Sequence, residues 1–246
     1  MNYTTIKYGE KENIGTITLD RPEKRNAINE TMVEELADCI NYCGQNLNIK
    51  AIILTGSGKA FCSGGDVLEI SPSKAKRFLN ILHPAFLEIR RVAKPVIAAV
   101  NGPAIGGGFA LALTCDIIIA SKSARFNSHY VLIGVSPDCG MSYILPRLVG
   151  DKRATWLMFT GEMVDAQKGY EMGFVNQVVE DDQLLNEANA LARKLAESAT
   201  SAIARIKELI NRSWNENLES QMEYEKQLFG GLALMEDHHE CAEQSV

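Results

Sequence analysis

Two glycine-rich segments, each placed directly after a short apolar stretch, constrain this sequence more than any other feature. Cys62-Ser63-Gly64-Gly65-Asp66 follows the predicted strand at residues 50–55, and Gly106-Gly107-Gly108 follows the predicted strand at 96–100. Glycine leaves a backbone N–H uncovered, and a helix N-terminus adds unpaired N–H groups with a partial positive charge. Two such groups together bind an oxyanion, although either segment alone also fits an ordinary turn.

The order of the elements predicts an α/β fold. Apolar patterning indicates strands at 14–19, 50–55, 96–100 and 117–120. It also indicates three helices: a first one capped by Asn29 or Thr31, a second over 74–93 with a kink or break at Pro84, and a third over 109–114. Beyond residue 150 strand signals are few, and apolar spacing predicts helices near 184–195 and 203–210. We therefore predict a core with crossover connections over 1–190 and a helical region over 191–246.

Composition excludes several classes of partner. A net charge of −6 argues against nucleic acid, and no long apolar run or secretory signal is visible, so we expect a cytoplasmic protein without a membrane partner. The six cysteines form no CxxC pair and no cluster with histidine, which predicts free thiols and no metal site. Neither glycine segment matches a dinucleotide or phosphate-loop pattern, so no separate cofactor is expected.

The glycine segments also carry a resemblance to a known family. Residues 61–66 resemble the FxxGxD element of the crotonase superfamily, and residues 94–108 resemble its KPVIAAVxGxAxGGG element. Similar stretches occur at 21–27, 115–116, 145–150, 160–161 and 166–175. The resemblance implies a spiral of repeated ββα units with a C-terminal helical trimerisation region, a homotrimer or dimer of trimers, and an acyl-CoA substrate that itself carries the coenzyme A.

The same resemblance assigns roles to particular residues. The Gly65 and Gly107 N–H groups are expected to be the oxyanion donors that hold the thioester oxygen. Tyr130, together with His129, is expected to line the acyl pocket, and an aromatic residue there leaves a ring-bearing acyl group open. The path of the CoA moiety is expected to follow Lys24, Arg25, Ala27, Ser63, Gly64, Asp66 and Val67.

The sequence departs from the hydratase pattern of this superfamily at both catalytic carboxylates. The positions of the two glutamates fall at Ala110 and Tyr130. Hydration needs a base that deprotonates water and an acid that protonates the substrate carbon. Alanine can do neither, and a tyrosine with a pKa of about 10 is a poor base at neutral pH. A typical hydratase is therefore disfavoured.

Asp138, in Pro137-Asp138-Cys139-Gly140, is the remaining candidate acid. It is similar in position to the acid of the superfamily's single-aspartate enoyl-CoA isomerases, which include one of the phenylacetate pathway. An aspartate after proline also fits an N-cap or Asx-turn before a helix near Cys139. We expect Asp138 to carry a proton between C2 and C4 of a 3-enoyl-CoA and so produce a 2-enoyl-CoA.

Other interpretations stay open. The chain could run another crotonase reaction, namely weak hydration, aryl-CoA dehalogenation with Asp138 as the nucleophile, thioester hydrolysis or decarboxylation, or it could bind CoA without turnover. Cys62 and Cys139 flank the expected site, but no motif places a histidine beside them, so neither is expected to be a nucleophile. The sequence of residues 235–246 lacks the usual family ending, which predicts a weakened tail contact with CoA.

Overall fold

The chain winds repeatedly between two β-sheets, and the computed structural model describes residues 2–70 and 73–234. The strands are β1 (Ile6–Lys11), β2 (Ile14–Leu19), β3 (Ala51–Gly56), β4 (Val96–Val100), β5 (Pro103–Ile105), β6 (Ile117–Ser121), β7 (Arg125–Asn127), β8 (Val164–Asp165) and β9 (Gln177–Val179). The helices are α1 (Glu30–Gln45), α2 (Ala75–Arg91), α3 (Gly107–Thr114), α4 (Met141–Val149), α5 (Asp151–Thr160), α6 (Ala166–Met172), α7 (Leu184–Ala196), α8 (Thr200–Ser213) and α9 (Leu218–Leu232).

The large sheet has the order β1-β2-β3-β4-β6-β9, and the small sheet has the order β5-β7-β8. All neighbours in the large sheet are parallel except β1 and β2, which form a hairpin. Single bridges from Cys62 to Ala104 and from Ile28 to Gly65 carry the small-sheet pairing onward to earlier turns of the chain. Each turn therefore visits both sheets before its helix, which confirms the predicted spiral of ββα units.

Alternation along the strands determines how the large sheet is covered. One face presents Ile53, Ile97 and Ile119 to α7, and the other presents Ile52 and Leu54 to the core that includes α1, α2 and α3. Successive side chains of a strand point to opposite faces, so these runs are buried on both sides. The N-terminus of α3, where the second glycine segment lies, is thereby attached to a rigid, fully buried strand.

Three local predictions can be compared with these helices. Asn29 caps α1 and accepts a hydrogen bond from the Met32 N–H at 3.0 Å, which confirms one of the two predicted starts. Of the predicted kink or break at Pro84, the break is wrong, because α2 continues through the proline and buries Phe78 and Leu82 before it and Phe86 and Ile89 after it. Packing on both sides of the proline outweighs the loss of one backbone hydrogen bond. Helix α3 starts at Gly107, two residues before its predicted start.

The last helices attach to the core through a buried cation. Helix α7 crosses the predicted boundary at residue 190 and packs on the large sheet, and α8 follows it. On α8, Lys207 donates to the backbone oxygens of Ile89 and Lys94 at 2.9 and 3.0 Å, and to Asp116 Oδ2 at 2.7 Å. Burial lowers the pKa of Lys207 and raises the pKa of Asp116, and in each case the partner's charge opposes that effect.

Within the described residues, no helix is both long and apolar enough to cross a membrane. The five cysteines of this part of the chain are buried free thiols. Cys241 and the tail at residues 235–246, to which the prediction of a weakened CoA contact applies, lie outside the described residues.

The Lys207–Asp116 pair generates a prediction on stability. Lys207→Met should lower the free energy of unfolding by about 3–5 kcal/mol, because it leaves the Asp116 carboxylate buried without its cation. Adding Asp116→Asn should recover part of that loss, since no unpaired charge then remains. Urea denaturation measures both effects. The exposed Lys226 of α9, paired with Glu223, provides the control, and Lys226→Met should change stability by less than about 1 kcal/mol. Equal losses for Lys207→Met and Lys226→Met would contradict this account.

Candidate active site

The two glycine-rich segments lie against each other as short parallel strands. Cys62 donates to the Pro103 carbonyl at 3.1 Å, and Ile105 donates to the Cys62 carbonyl at 2.9 Å. Gly108 packs directly on this pairing, since a Cβ built on it would lie 2.1 Å from the Cys62 carbonyl oxygen. Only glycine permits this approach of the two backbones.

This pairing brings the two predicted oxyanion donors together. A Cβ built on Gly107 would lie 3.7 Å from the Gly65 nitrogen, and one built on Gly64 would lie 3.2 Å from the Gly107 nitrogen. Among the described residues, neither the Gly65 N–H nor the Gly107 N–H donates to a protein acceptor. Gly107 is also the first residue of α3, where the helix dipole favours negative charge. The arrangement is therefore suited to bind one developing oxyanion.

The predicted CoA-binding residues gather around the first segment. Ser63 donates its N–H to the Arg25 carbonyl at 3.0 Å and its hydroxyl to the Lys24 carbonyl at 3.3 Å. The Gly64 carbonyl accepts the N–H of Ile28 at 2.8 Å, which places Ala27 in the same cluster. The side chains of Lys24 and Arg25 are exposed, and Val67 is 69% exposed. The cluster thus presents two cations and an apolar side chain at the surface.

Asp66 differs from these neighbours because its carboxylate is used inside the protein. Arg21 Nη1 lies 3.1 Å from Asp66 Oδ2, and Arg21 Nη2 lies 2.7 Å from Glu69 Oε1. Burial alone would raise the pKa of Asp66, but the Arg21 guanidinium and nearby backbone N–H groups together lower it. The side chain belongs to the framework of the loop, and a contact with CoA would have to come from its backbone.

Asn26 organises the same framework and was not singled out from the sequence. It is fully buried and accepts the Arg21 N–H at 2.9 Å, while its amide donates to the carbonyls of Ala60 at 2.8 Å and Phe61 at 3.2 Å. Arg25 and Asn26 both have positive φ angles, of 52° and 56°. Asparagine tolerates this conformation and carries both donors and an acceptor. An asparagine inside the similar stretch at 21–27 was the available signal.

Asp138 and Tyr130 form a hydrogen-bonded pair in the segment between β7 and α4. The Tyr130 hydroxyl donates to Asp138 Oδ1 at 2.6 Å, and Asp138 is half-buried. Burial, together with the charge of Asp138, raises the pKa of Tyr130, so the hydroxyl stays protonated and keeps donating. The alternative interpretation of the Asp138 side chain, as an N-cap or Asx-turn, is wrong. Helix α4 begins at Met141 after Gly140, and Asp138 contributes only its backbone carbonyl to that turn.

A histidine and two thiols complete the surroundings of Asp138. The Cys139 N–H donates to His83 Nε2 of α2 at 3.3 Å, a contact that no sequence motif indicated. Burial raises the pKa of Cys62 to about 12. Burial and then the charge of Asp138 raise the pKa of Cys139, with a further contribution from the Cys62 thiol. The loop of Asp138 therefore lies near the first glycine segment, and neither thiol is activated as a nucleophile.

The remaining predicted positions are accounted for in the same region. Ala110 is fully buried in α3 and offers no proton-transfer group. His129 precedes the short 3-10 turn Tyr130–Ile133 and has a positive φ angle of 60°. Within residues 2–70 and 73–234, no group of three or more histidine, cysteine, aspartate or glutamate side chains is arranged to hold a metal ion.

Comparisons with known proteins agree with this geometry. A family model described as enoyl-CoA hydratase/isomerase matches residues 9–244. The 1,2-epoxyphenylacetyl-CoA isomerase of Escherichia coli K12 is 36% identical over 226 residues, covering 88% of this chain and 85% of the relative. The short-chain-enoyl-CoA hydratase of Clostridium acetobutylicum is 35% identical over 237 residues, covering 94% of this chain and 91% of the relative.

A solved structure extends the agreement to three dimensions. The crystal structure of the enoyl-CoA hydratase from Bacillus anthracis matches this fold with a TM-score of 0.95 at 31% identity, covering 98% of this chain and 95% of the other. Sequence, fold and the paired glycine segments lead to the same conclusion. This chain belongs to the enoyl-CoA hydratase/isomerase family and is an acyl-CoA enzyme of the crotonase superfamily.

Proposed function

We propose that this enzyme isomerises the double bond of a 3-enoyl-CoA to give a 2-enoyl-CoA, with Asp138 as the proton carrier. The observation that carries the proposal is the half-buried Asp138 carboxylate, held by the Tyr130 hydroxyl at 2.6 Å and near the paired glycine segments. The thioester oxygen of the substrate binds the N–H groups of Gly65 and Gly107. Tyr130 acts through Asp138, because its own proton stays on the hydroxyl.

The reaction needs one base and an oxyanion site. Asp138 takes a proton from C2, and the electrons of that C–H bond move through the carbonyl carbon onto the thioester oxygen. The resulting dienolate is stabilised by the two glycine N–H groups, each worth about 2.7–4 kcal/mol in such sites. When the carbonyl re-forms, a C2–C3 double bond replaces the C3–C4 double bond, and Asp138 returns its proton to C4. No water molecule enters the balance.

The names of the relatives include both hydratases and an isomerase, so they do not choose between these reactions. The site supports isomerisation because, of the side chains at Ala110, Tyr130, Asp66 and Asp138, only the Asp138 carboxylate is available to transfer a proton. Ala110 is buried and neutral, Tyr130 is a donor to Asp138, and Asp66 is bound to Arg21. A hydratase would require a second group to hold and deprotonate water.

We propose that the CoA moiety lies along the cluster around the first glycine segment. The exposed cations Lys24 and Arg25 are placed to meet its phosphates, and the exposed Val67 is placed to meet an apolar part of the ligand. Ser63 and Gly64 hold this surface against the loop of Arg25 through the backbone hydrogen bonds already described. Local cations of this kind allow an acidic protein to bind a polyanionic ligand.

Replacing the proposed base tests the reaction directly. Asp138→Asn should lower kcat on a 3-enoyl-CoA by about 100- to 10,000-fold, since the amide keeps the shape but cannot accept the C2 proton. Asp182→Asn, which changes an exposed carboxylate in the turn before α7, should stay within about twofold of the wild type. The conversion is followed by separating the two enoyl-CoA isomers.

Three outcomes would contradict the proposal. Near wild-type turnover by Asp138→Asn would remove the aspartate from the chemistry. A covalent ester on Asp138, detected by mass spectrometry of quenched reactions, would show that the carboxylate is a nucleophile. Tight binding of CoA without turnover of any 3-enoyl, 2-enoyl or aryl thioester would indicate a binding protein.

Substitutions at the neighbouring Gly107 and Gly108 distinguish an effect on catalysis from an effect on folding. Gly107→Ala places a methyl group 3.7 Å from the Gly65 nitrogen, an ordinary contact distance, so the protein should fold while the methyl group obstructs the oxyanion site. We expect kcat to fall by about 100-fold or more, with little change in thermal stability. Gly108→Ala instead forces a methyl group to 2.1 Å from the Cys62 carbonyl oxygen and should destabilise the protein itself. Full activity of a stable Gly107→Ala protein would exclude the proposed donors.

We propose a homotrimer, or a dimer of trimers, from a surface around α5. Its exposed apolar side chains include Leu132, Trp156, Phe159 and Met163, and Phe159 is 76% exposed. Several large apolar side chains exposed on nearby segments of the chain are typical of an interface. Light scattering should give three or six chains for the wild type and fewer for Phe159→Glu. Leu47→Glu, which changes an exposed leucine outside this surface, should keep the wild-type mass. A monomeric wild type would contradict the proposal.

A further inference from the structure

A cavity of about 500 Å³ begins beside the proposed base. It is lined by Cys139 and Gly140, which directly follow Asp138, and it reaches Thr114 at the end of α3 opposite Gly107. The axis of α3 between Gly107 and Thr114 spans about 10 Å. An acyl chain whose thioester oxygen binds at Gly107 and whose C2 and C4 lie at Asp138 therefore continues into this cavity.

The lining of the cavity combines aromatic rings with positive charge. Phe86, Tyr143 and Trp214 contribute rings, Arg90 and Arg91 contribute guanidinium groups, and no aspartate or glutamate lines it among the described residues. Arg147 adds a further cation behind the wall, with its guanidinium 3.6 Å from the Tyr143 ring centroid. The cavity is thus electropositive in a protein whose net charge is −6.

Arg90 is the half-buried cation of this group, whereas Arg91 and Arg147 are exposed. Its guanidinium stacks on Trp214 at 4.7 Å from the ring centroid and donates to Asn211 Oδ1. No described carboxylate forms an ion pair with it, because Asp116, whose charge reaches Arg90, is bonded to Lys207 at 2.7 Å. Burial lowers the pKa of Arg90. A partly desolvated guanidinium without an ion-pair partner favours the binding of an anion.

Arg91 is different in this respect, since it is exposed and lies 3.5 Å from Glu88. A methyl-terminated chain or a plain aromatic ring would fit among the apolar walls but would leave Arg90 without an anion and with less water. A terminal carboxylate would satisfy it with charge-assisted hydrogen bonds.

We propose that this cavity selects acyl groups that end in a carboxylate, so that the substrates are CoA monothioesters of unsaturated dicarboxylic acids, with Arg90 binding the terminal carboxylate. The inference rests on the proposed isomerisation for the position of the thioester and of C2 to C4. It adds which chemical group the acyl chain ends in, a property that Gly65, Gly107 and Asp138 do not contact.

The test compares two 3-enoyl-CoA substrates of equal chain length, one ending in a carboxylate and one in a methyl group, over a series of lengths. At the best length the wild type should prefer the carboxylate in kcat/KM. Arg90→Gln should reduce that preference by about 10- to 100-fold, the value of a hydrogen bond to a charged group. Arg90→Lys, which keeps the charge, should lose less, and Arg193→Gln, on the exposed surface of α7, should lose nothing.

Binding of the saturated analogues, measured by calorimetry, repeats the comparison without turnover and keeps the test valid if a variant is slow. A wild type that favours the methyl-terminated substrate at every length, or an unchanged preference in a folded Arg90→Gln protein, overturns the inference. If, in that case, Asp138→Asn no longer turns over the methyl-terminated substrate, the proposed isomerisation is still supported. Conversely, an Arg90-dependent preference in binding together with a fully active Asp138→Asn protein would refute the isomerisation and keep the cavity's selectivity.

Discussion

The parallel backbone pairing of Cys62 with residues 103–105 is the interaction on which the site depends. It joins equivalent positions in two successive turns of the spiral, and Gly108 lets the two backbones approach until a side chain could not fit. The Gly65 N–H and the N-terminus of α3 meet only because of this contact. The proposed oxyanion site is therefore a property of the fold rather than of any side chain, which suits a scaffold on which different reactions can occur.

Side chains around the paired glycine segments determine which reaction the site supports. Asp138 is positioned by Tyr130, and its loop is held to α2 through the Cys139–His83 hydrogen bond. Beyond it, Arg90 stacks on Trp214 in the cavity proposed to hold the end of the acyl chain. The proposed enolate site, proton carrier and acyl-chain end are each supplied by different elements of the spiral.

The fold class, four of the nine described strands and the two glycine-rich segments could be predicted from the sequence because they depend on local patterning and on short motifs. What could not be predicted depends on contacts between distant segments. The alternative of a helix cap at Asp138 could not be decided from the sequence; its carboxylate binds Tyr130, because tertiary packing brings a buried hydroxyl to it. Asn26, His83 and Arg90 gain their roles only from the backbone and rings that folding brings to them.

The central claim is that one aspartate moves a proton between two carbons of an enolate held by two glycine amides. Incorporation of deuterium from heavy water into an enoyl-CoA, resolved by carbon position with NMR, tests it most directly. With the proton on Asp138 exchanging with solvent over repeated forward and reverse turnovers, the account predicts label at both C2 and C4 with the wild type and label at neither carbon with Asp138→Asn. Label at C2 alone, accompanied by a hydroxyl group at C3, would show a hydratase and contradict the account, as would undiminished labelling by Asp138→Asn.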